Sequence, residues 1–469
     1  MPWSKLRSST TGRLLLPDDA SYAAARLVQN PRFDGQRPLA LLAVSDADDV
    51  VAAFDFAQSH DVSIAIRSGG HSYAGWSAGG DPAALVLDCR GLDQVELSAG
   101  GTATIGPGAS LISVYAALGG KDRAIGAGSC PTVGFGGLAL GGGVGVLTRD
   151  FGLTCDQVTG MQVVTADGRL LTVDEQHEPD LFFALRGGGG GHGALVTSFE
   201  VATREAPTVS TAYFQWPAAS APDIVAAWQE WIDQAPNGLW STLKVLAGPD
   251  RTAGGEVVVA ASWTGAPDVF PARLATLTQQ LPPAAAQSTN VQAYVDAMSS
   301  YAGCAQVPVE LCRTGPGGVL EREALAATSH VAYSPLGTEG AAELVGRVGS
   351  WQDSGLREVG VSIDALGGAV RDLGAAETAF VHRDALATVQ YTATFAADPP
   401  AGTSKQATSA VHGLRKAMTT HWGDHAYVNY ADPTLRDPQA AYFGDNAARL
   451  AQVRQTYDPT GFFTQPQGW

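Results

Sequence analysis

The 469-residue sequence contains few charged side chains, and most of them are acidic. Only 16% of the residues are Asp, Glu, Lys or Arg, whereas about a quarter is usual in soluble proteins. The 29 Lys and Arg residues stand against 46 Asp and Glu residues, which gives a formal net charge of −17. Because nucleic-acid binding requires cations that replace phosphate counterions, this composition argues against a nucleic-acid partner.

Long apolar runs are absent as well. No stretch reaches the roughly 18 residues of a membrane-spanning helix. The segment from Met1 to Arg7 has no apolar core like that of an export signal. We therefore expect a soluble protein without a membrane partner. As given, the chain is expected in the cytoplasm, or outside the cell if a leader has been removed.

Cysteine is scarce, and histidine is not arranged for metal binding. Five cysteines are too few and too scattered for a disulfide framework. Cys304 and Cys312 are close enough along the chain to pair in an oxidising compartment, and two free thiols are an equally good interpretation. His421 and His425 lack the Glu of an H-E-x-x-H motif, so no metal site is predicted.

Glycine, in contrast, is abundant and clustered. Of the 56 glycines, many fall in three segments, 67–72, 126–145 and 187–191. Glycine lets the backbone approach a ligand closely, and successive N–H groups can bind a phosphate. Three such clusters favour a large cofactor with a pyrophosphate and a flat ring system over a set of ordinary tight turns. None of them matches a Rossmann fingerprint or a P-loop, which disfavours nicotinamide and Walker-type nucleotide binding.

The spacing of apolar residues predicts an α+β protein whose character changes near residue 206. Before that point, the patterns predict capped helices after residues 45–48 and at 110–118, strands at 62–66, 85–88 and 195–201, and hairpins at 93–106 and 158–173. Beyond it, they predict helices at 221–234, 267–281, 339–352 and 440–457 and strands at 256–263, 357–365 and 386–395. We interpret the second part as a separate α+β domain.

Two segments resemble a known flavoprotein family. Arg67-Ser-Gly-Gly-His-Ser-Tyr-Ala-Gly75 and Gly128-Ser-Cys-Pro-Thr-Val-Gly134 are similar to motifs of the berberine-bridge-enzyme-like group of the vanillyl-alcohol-oxidase superfamily. In its bicovalent members, a His of the first motif joins the flavin 8α-methyl and a Cys of the second joins flavin C6. The matching positions are His71 and Cys130. The resemblance covers nearly the whole chain through the segments 138–145, 152–156, 163–168, 427–430, 442–446 and 458–459.

The residue types at these two positions suit that chemistry. A flavin held at two ring atoms needs an imidazole and a thiolate, because the thiolate is the nucleophilic form of cysteine. Cys130 precedes a loop of backbone N–H groups, which we expect to lower its pKa. The alternatives are a turn histidine with a satisfied hydrogen bond and a buried apolar cysteine.

The resemblance implies a two-domain PCMH-type fold that binds FAD. Residues 1–206 and the returning segment 412–469 would form the FAD domain, and 207–411 the substrate domain, whose antiparallel sheet covers the isoalloxazine. The residues assigned to the cofactor, besides His71 and Cys130, are Ser68, Gly69, Gly70, Ser72, Val133, Gly134, Gly136, Gly137, Gly141, Gly142, Gly143, Val196 and Asn429.

The third glycine cluster departs from the family pattern. The family usually has Gly-Asn-Phe-Gly there, whereas this chain has Gly191-His-Gly-Ala194. His192 therefore stands where Asn is usual. A pocket position is one interpretation, and a solvated turn histidine is the favoured one.

The resemblance also implies a catalytic set. In the segment Tyr427-Val-Asn-Tyr430, the second tyrosine is commonly the base that removes a hydroxyl proton, and Tyr427 accompanies it. In related oligosaccharide oxidases an Asp in an Asp-x-x-Gly-Gly pattern assists, which here is Asp364. Strand alternation places Ser362 on the same face as Asp364, and Tyr391 is assigned to the substrate pocket as well. Val133 matches a position where a small residue accompanies oxidase behaviour.

The leading functional hypothesis is an FAD-dependent oxidase. It would oxidise a hydroxyl group of a carbohydrate or glycosylated natural product, and O₂ would reoxidise the flavin and yield H₂O₂. The alternatives are oxidative ring closure of a phenolic or alkaloid-like metabolite and a flavin-binding protein that sequesters its ligand without turnover. The oligomeric state stays open.

Overall fold

The structure is a computed structural model that describes residues 1–251, 255–464 and 466–467. Its N-terminal part contains two small sheets and a two-stranded pair. The strands, in chain order, are β1 (Arg13–Leu15), β2 (Ala40–Ala43), β3 (Ile64–Arg67), β4 (Leu85–Asp88), β5 (Val95–Leu97), β6 (Thr102–Ile105), β7 (Arg123–Ala124), β8 (Val158–Thr165), β9 (Leu170–Val173), β10 (Ala194–Ala202) and β11 (Arg204–Glu205). One sheet has the order β1-β2-β4-β3 with β2 and β3 parallel to β4, and the other is antiparallel with the order β5-β6-β10-β8-β9.

Short helices connect these strands. They are α1 (Trp3–Ser9), α2 (Tyr22–Ala25), α3 (Ala47–Ser59), α4 (Leu111–Gly119), α5 (Phe135–Leu140), α6 (Thr148–Phe151) and α7 (Pro179–Ala184). The Asp46 carboxylate caps α3 by accepting from the Asp49 N–H, and the Ser110 hydroxyl caps α4 by accepting from the Ser113 N–H. The predicted capped helices, strands and hairpins of this part are confirmed, with ends that shift by one or two residues.

A seven-stranded antiparallel sheet dominates the middle of the chain. Its strands are β12 (Thr208–Pro217), β13 (Leu239–Ala247), β14 (Glu256–Trp263), β15 (Ala286–Ala293), β16 (Ala324–Ala332), β17 (Glu358–Ala365) and β18 (Ala387–Phe395), in the order β15-β12-β14-β13-β17-β18-β16. The helices of this part are α8 (Ala221–Asp233), α9 (Phe270–Thr278), α10 (Tyr294–Tyr301), α11 (Gly337–Gly349) and α12 (Thr403–Trp422). Helices α8, α11 and α12 pack against the sheet.

The prediction found only three of these seven strands. β14, β17 and β18 are confirmed, while β12, β13, β15 and β16 were not predicted. The edge strand β15 is exposed along nearly all its length and carries polar residues on both faces, so it shows no alternation. Helix α12 was not predicted either, and it runs without a break across the boundary expected at 411–412.

The C-terminal segment returns to the N-terminal part. It contains α13 (Pro438–Phe443) and α14 (Ala447–Tyr457), and α14 packs on α7. The single helix predicted at 440–457 is wrong, because Gly444 adopts a φ of +47° and interrupts it. After α14, the Asp458 carboxylate accepts from the Phe462 and Phe463 N–H groups at 2.7 and 2.8 Å. Both phenylalanine rings then pack edge-on against Phe54 of α3.

Two further features bear on the open alternatives. Cys304 and Cys312 form a disulfide with their Cα atoms 5.9 Å apart, which decides the pairing that the sequence left open. Among the helices in the described ranges, none is long and apolar enough to cross a membrane.

Candidate active site

Two glycine-containing loops of the N-terminal part are in direct contact. The loop after β3 and the loop before α5 touch at Gly69 and Gly134. A Cβ on Gly69 would lie 2.2 Å from the Gly134 nitrogen, and one on Gly134 would lie 2.1 Å from Ser68 Oγ. No larger residue fits at either position, so these two glycines hold the first two predicted cofactor loops side by side.

His71 and Cys130 lie on these two adjoining loops. His71 Nε2 is 2.9 Å from the hydroxyl oxygen of Thr132, and His71 Nδ1 has no hydrogen-bond partner within the described residues. Burial lowers the pKa of His71 to about 4, so the imidazole is neutral near pH 7. In the tautomer whose Nε2–H donates to the Thr132 hydroxyl, Nδ1 of the neutral ring carries the free lone pair of a nucleophile.

Cys130 is exposed at the same place, while the two other free cysteines, Cys89 and Cys155, are buried. Protein nevertheless surrounds the Cys130 thiol within the cleft, and this desolvation raises its pKa. Hydrogen bonding to Thr132 and to the Val133 N–H opposes the shift without overcoming it. The predicted lowering of the Cys130 pKa is therefore wrong, because the loss of water outweighs the N–H donors.

Buried Arg67 holds the base of the His71 loop. Its guanidinium donates to the carbonyls of Ser77 and Ala25 at 3.0 and 2.8 Å and lies 3.5 Å from Asp88 Oδ2. Burial lowers the pKa of Arg67 only to about 10, so the group stays charged. No separate role is predicted for this residue from the sequence, although it opens the first motif.

The predicted tyrosine segment folds as a short 3₁₀ turn beside the second glycine cluster. Tyr427 Oη accepts from the Gly143 N–H at 2.8 Å and from Asn429 Nδ2 at 2.9 Å. Asn429 Nδ2 also donates to the Leu138 carbonyl at 2.9 Å. A Cβ on Gly141 would lie 2.1 Å from Asn429 Oδ1, so this glycine makes room for the tyrosine segment. These contacts make Tyr427 and Asn429 positioning residues of the turn.

Tyr430 occupies the middle of an aromatic stack. Its ring lies parallel to that of Tyr73, with centroids 5.5 Å apart, and edge-on to Tyr427 at 5.0 Å. Burial raises the pKa of Tyr430 well above its usual range, and the neighbouring charge of Asp364 raises it further. Tyr73 was missed by the sequence reasoning although it follows the predicted Ser72 directly.

The large sheet presents its predicted residues on one face of β17. Asp364 lies between Thr242 of β13 and Thr388 of β18, and Ser362 lies between Lys244 and Gln390 of the same strands. The Gln390 amide donates to Tyr73 Oη, which joins this face to the His71 loop. Burial raises the pKa of Asp364, while the nearby Lys244 charge opposes that shift.

Tyr391 lies on the opposite face of the sheet. It is fully buried, and its hydroxyl is 2.9 Å from His330 Nδ1, on the side where α12 packs. The assignment of Tyr391 to the substrate pocket is therefore wrong. Because side chains alternate along β18, its neighbour Gln390 occupies the pocket face instead.

The glycines of the Asp-x-x-Gly-Gly pattern have a structural cause. Arg149 of α6 donates to the Leu366 carbonyl and, at 2.6 Å, to the Ala235 carbonyl. A Cβ on Gly367 would lie 2.7 Å from the Arg149 guanidinium, and one on Gly368 would lie 2.2 Å from the Arg149 carbonyl oxygen. The turn after Asp364 is thus closed around an arginine that the sequence reasoning did not single out.

The remaining predicted cofactor residues lie on the same loops or near them. The Ser68 hydroxyl donates to the Pro107 carbonyl at 2.5 Å, and Ser72 Oγ accepts from the Trp76 N–H at 3.3 Å. The other positions differ in exposure: Gly136 and Val196 are buried, Gly70 is buried next to Val28, Val133 is half-buried, Gly137 is exposed, and Gly142 and Gly143 are buried against Tyr427 and Thr154.

His192 is completely buried, and the favoured interpretation as a solvated turn histidine is wrong. Its Nε2 is 2.7 Å from the Gly188 carbonyl oxygen, and its ring packs edge-on against Phe443. The glycine loop folds over the imidazole, since a Cβ on Gly188 would lie 3.0 Å from its Nε2. Burial lowers the pKa of His192 to about 4. Among the described residues, no group of three His, Cys, Asp or Glu side chains could hold a metal ion.

Comparison with known proteins decides the family. Residues 38–174 match the family described as "FAD binding domain", and residues 426–468 match "Berberine and berberine like". Chitooligosaccharide oxidase of Gibberella zeae is 30% identical over 444 residues, which cover 92% of this chain and 87% of that protein. The chain belongs to the berberine-bridge-enzyme-like family of FAD-linked oxidoreductases.

A berberine-bridge-enzyme-like fold is also found by structural comparison. Chitooligosaccharide oxidase superposes with a TM-score of 0.87 and 26% identity, covering 99% of this chain and 98% of the other. A glucooligosaccharide oxidase of Acremonium strictum, described with a 6-S-cysteinyl, 8α-N1-histidyl FAD, superposes with a TM-score of 0.85 and 25% identity over 99% and 98% of the two chains. The expected two-domain PCMH-type fold and the FAD cofactor are confirmed.

The residues present fit a flavin of this berberine-bridge-enzyme-like type. His71 offers a neutral ring nitrogen and Cys130 an exposed thiol on adjacent loops. The close contact of Gly69 with Gly134 keeps these loops together without intervening side chains. The protein is therefore an FAD-dependent oxidoreductase.

Proposed function

We propose that this enzyme oxidises a hydroxyl group of a carbohydrate or glycosylated natural product, with FAD attached through His71 and Cys130. The similarity to chito- and xylooligosaccharide oxidases, both 30% identical over 92% of this chain, supports the substrate class. Bound FAD supplies the two-electron acceptor and, with O₂, the reoxidation that yields H₂O₂.

Attachment through His71 uses Nδ1. Nε2 is engaged by the Thr132 hydroxyl, so Nδ1 carries the free lone pair when the Nε2 proton is donated to Thr132. This choice agrees with the N1-histidyl link in the name of the glucooligosaccharide oxidase structure. Attachment through Cys130 requires its thiol to lose a proton, and the N–H group of Val133 favours the thiolate that results.

Tyr430 accepts the proton of the substrate hydroxyl. Tyr73 fixes the plane of its ring, and Tyr427 fixes its edge. Asp364 faces it from the sheet, and because burial keeps Tyr430 in its phenol form, the phenolic proton passes to the Asp364 carboxylate as Tyr430 accepts the substrate proton. The observation that carries the proposal is that Asp364 and Cys130, from two other parts of the chain, are both close enough to Tyr430 for their charges to act on its hydroxyl.

The test is a peroxide-coupled screen of sugars, oligosaccharides and phenolic alcohols with the flavin-loaded protein. We expect H₂O₂ release with a saccharide and a lactone or ketone as product. Tyr430→Phe is expected to lower kcat by about 10²–10⁴-fold, the usual range for the loss of a general base. Tyr457→Phe is the matched control, because that hydroxyl contacts Glu178, which belongs neither to the predicted cofactor residues nor to the catalytic set. A cyclised product, or full activity of Tyr430→Phe, would contradict the proposal.

A further inference from the structure

Charge is distributed unevenly on the large sheet. Across the seven strands β12 to β18, all of which the structure describes, Lys244 is the only lysine or arginine. The strands contain three acidic residues, Glu256, Glu358 and Asp364. The strand register places all four charged residues on one face, the face that Gln390 joins to Tyr73.

Two of the three acidic residues are already neutralised. The Arg251 guanidinium forms ion pairs with both Glu256 and Glu358 at the end of the sheet. Lys244 is different: its side chain is exposed, and within the described residues it makes no hydrogen bond and no ion pair within 4 Å, although its charge acts on Asp364 in the next row. Because no carboxylate holds this ammonium directly, it can contact a substrate.

Lys244 lies one row of the sheet away from Asp364, which belongs to the proposed catalytic set. It lies directly opposite Ser362, in the row that continues to Gln390. Asp364 lies in the next row of the same face, two residues along β17. Two residues along a strand span about 7 Å, which is close to the length of one sugar ring with its substituents. A group bound by Lys244 therefore belongs to the reacting sugar or to the unit next to it.

We propose that Lys244 binds a carboxylate of the substrate, so that the enzyme prefers an acidic saccharide, such as one containing a uronic acid, over its neutral counterpart. This inference rests on the proposed function and goes further in naming the substrate class. Ser362 and Gln390 supply neutral hydrogen-bonding groups in the same row, and Lys244 supplies the only full positive charge on these strands.

The experiment compares cellobiose with cellobiuronic acid, two disaccharides that differ in one carboxylate. Steady-state kinetics with the flavin-loaded enzyme are measured for wild type, Lys244→Gln, Lys244→Arg and the control Lys416→Gln, which changes an exposed lysine on α12. In wild type we expect kcat/KM for the acid to exceed that for the neutral sugar at least tenfold at low salt. Lys244→Gln is expected to lower this ratio at least tenfold, mainly through KM.

Two further results show whether the preference for the acidic sugar comes from the charge of Lys244 or from its packing. Lys244→Arg keeps most of the preference, and 0.5 M NaCl reduces it, because an exposed charge pair is screened. Lys416→Gln leaves the ratio at the wild-type value. A ratio near one in wild type, or an equal effect of Lys244→Gln on both sugars, would overturn the inference while the proposed function stands.

If neither sugar is oxidised, the proposed function is in question and binding decides the inference. Calorimetric titration of wild type and Lys244→Gln with both disaccharides then applies. Tighter binding of the acid that is lost in Lys244→Gln supports the role of Lys244. Equal binding of the two sugars by wild type refutes it.

Discussion

The rings of Tyr73 and Tyr430 are stacked, with an angle of 13° between their planes and their centroids 5.5 Å apart. One tyrosine belongs to the loop that carries His71, and the other to the C-terminal turn. The Gln390 amide donates to the Tyr73 hydroxyl, so the large sheet is connected to the same pair. The orientation of the proposed base therefore depends on three segments that are far apart in sequence.

The first prediction concerns this stack. Tyr73→Ala is expected to lower kcat/KM by about 3- to 10-fold or more, because an aromatic pair contributes about 0.5–1.5 kcal/mol beyond its buried area. Tyr73→Phe keeps the stack and loses only the bond from Gln390, so its kcat is expected to remain closer to wild type. Steady-state kinetics of the two variants check this, and equal losses in both would contradict the role of the stack.

The second prediction concerns Asp364. Burial raises the pKa of this carboxyl, so we expect activity to fall on the acid side above the ordinary Asp pKa of 3.8, as the carboxylate becomes protonated. In Asp364→Asn we expect the fall of kcat at low pH that protonation of Asp364 causes to disappear. We also expect kcat itself to be lower, because Tyr430 loses the neighbouring charge. The profile of kcat against pH is the measurement. An unchanged acid limb in Asp364→Asn would exclude this carboxyl.

The third prediction concerns the two covalent links. Cys130→Ala is expected to retain flavin in the acid-precipitated pellet through His71, whereas the double variant with His71→Ala releases it to the supernatant. Cys89→Ala is the matched control, because Cys89 is a buried thiol in the core of the first sheet. Flavin absorbance of pellet and supernatant gives the result. Loss of pellet flavin in the control, or its retention in the double variant, would contradict attachment at these residues.

The fourth prediction concerns acid stability. Burial lowers the pKa of His192 to about 4 and those of His330 and His382 to about 3, whereas an unfolded histidine titrates near 6.5. Between these values the unfolded chain binds protons that the folded chain does not. Above pH 6.5 these histidines do not reduce the free energy of unfolding. As the pH falls below 6.5, each of them lowers it by up to about 1.4 kcal/mol per pH unit.

Urea unfolding at pH 7.5, 6 and 5 tests this expectation. His192→Asn, which introduces the residue usual in the family, is expected to reduce the pH dependence, since it removes one of the three groups. His177→Asn is the control, because that side chain is exposed. Equal stability of wild type at pH 7.5 and pH 5 would show that these histidines do not destabilise the fold in acid.

The residues proposed to hold the flavin could be predicted because their chemistry is local. His71 and Cys130 each lie within a short segment of glycines, and the types of nucleophile are visible in the letters. The placement of Gly69 against Gly134 follows from the same segments. What the sequence could not provide was the balance of desolvation and N–H donors around Cys130, which reversed the expected direction of its pKa shift.

The substrate face could be predicted only in part, since it depends on long-range register. The contact of Gln390 with Tyr73 joins residues 317 positions apart, and that of Arg149 with Leu366 joins residues 217 positions apart. Alternation correctly paired Ser362 with Asp364 within one strand. It does not tell which face of β18 the site uses: Gln390 lies on that face, and the predicted Tyr391 does not.

The central claim is that one flavin joins the loops of His71 and Cys130. Peptide mass spectrometry of the proteolysed wild-type protein tests it most directly. We predict a single species in which the His71 peptide and the Cys130 peptide are linked to each other through one flavin. Recovery of both peptides unmodified, from protein that contains stoichiometric FAD, would contradict the account.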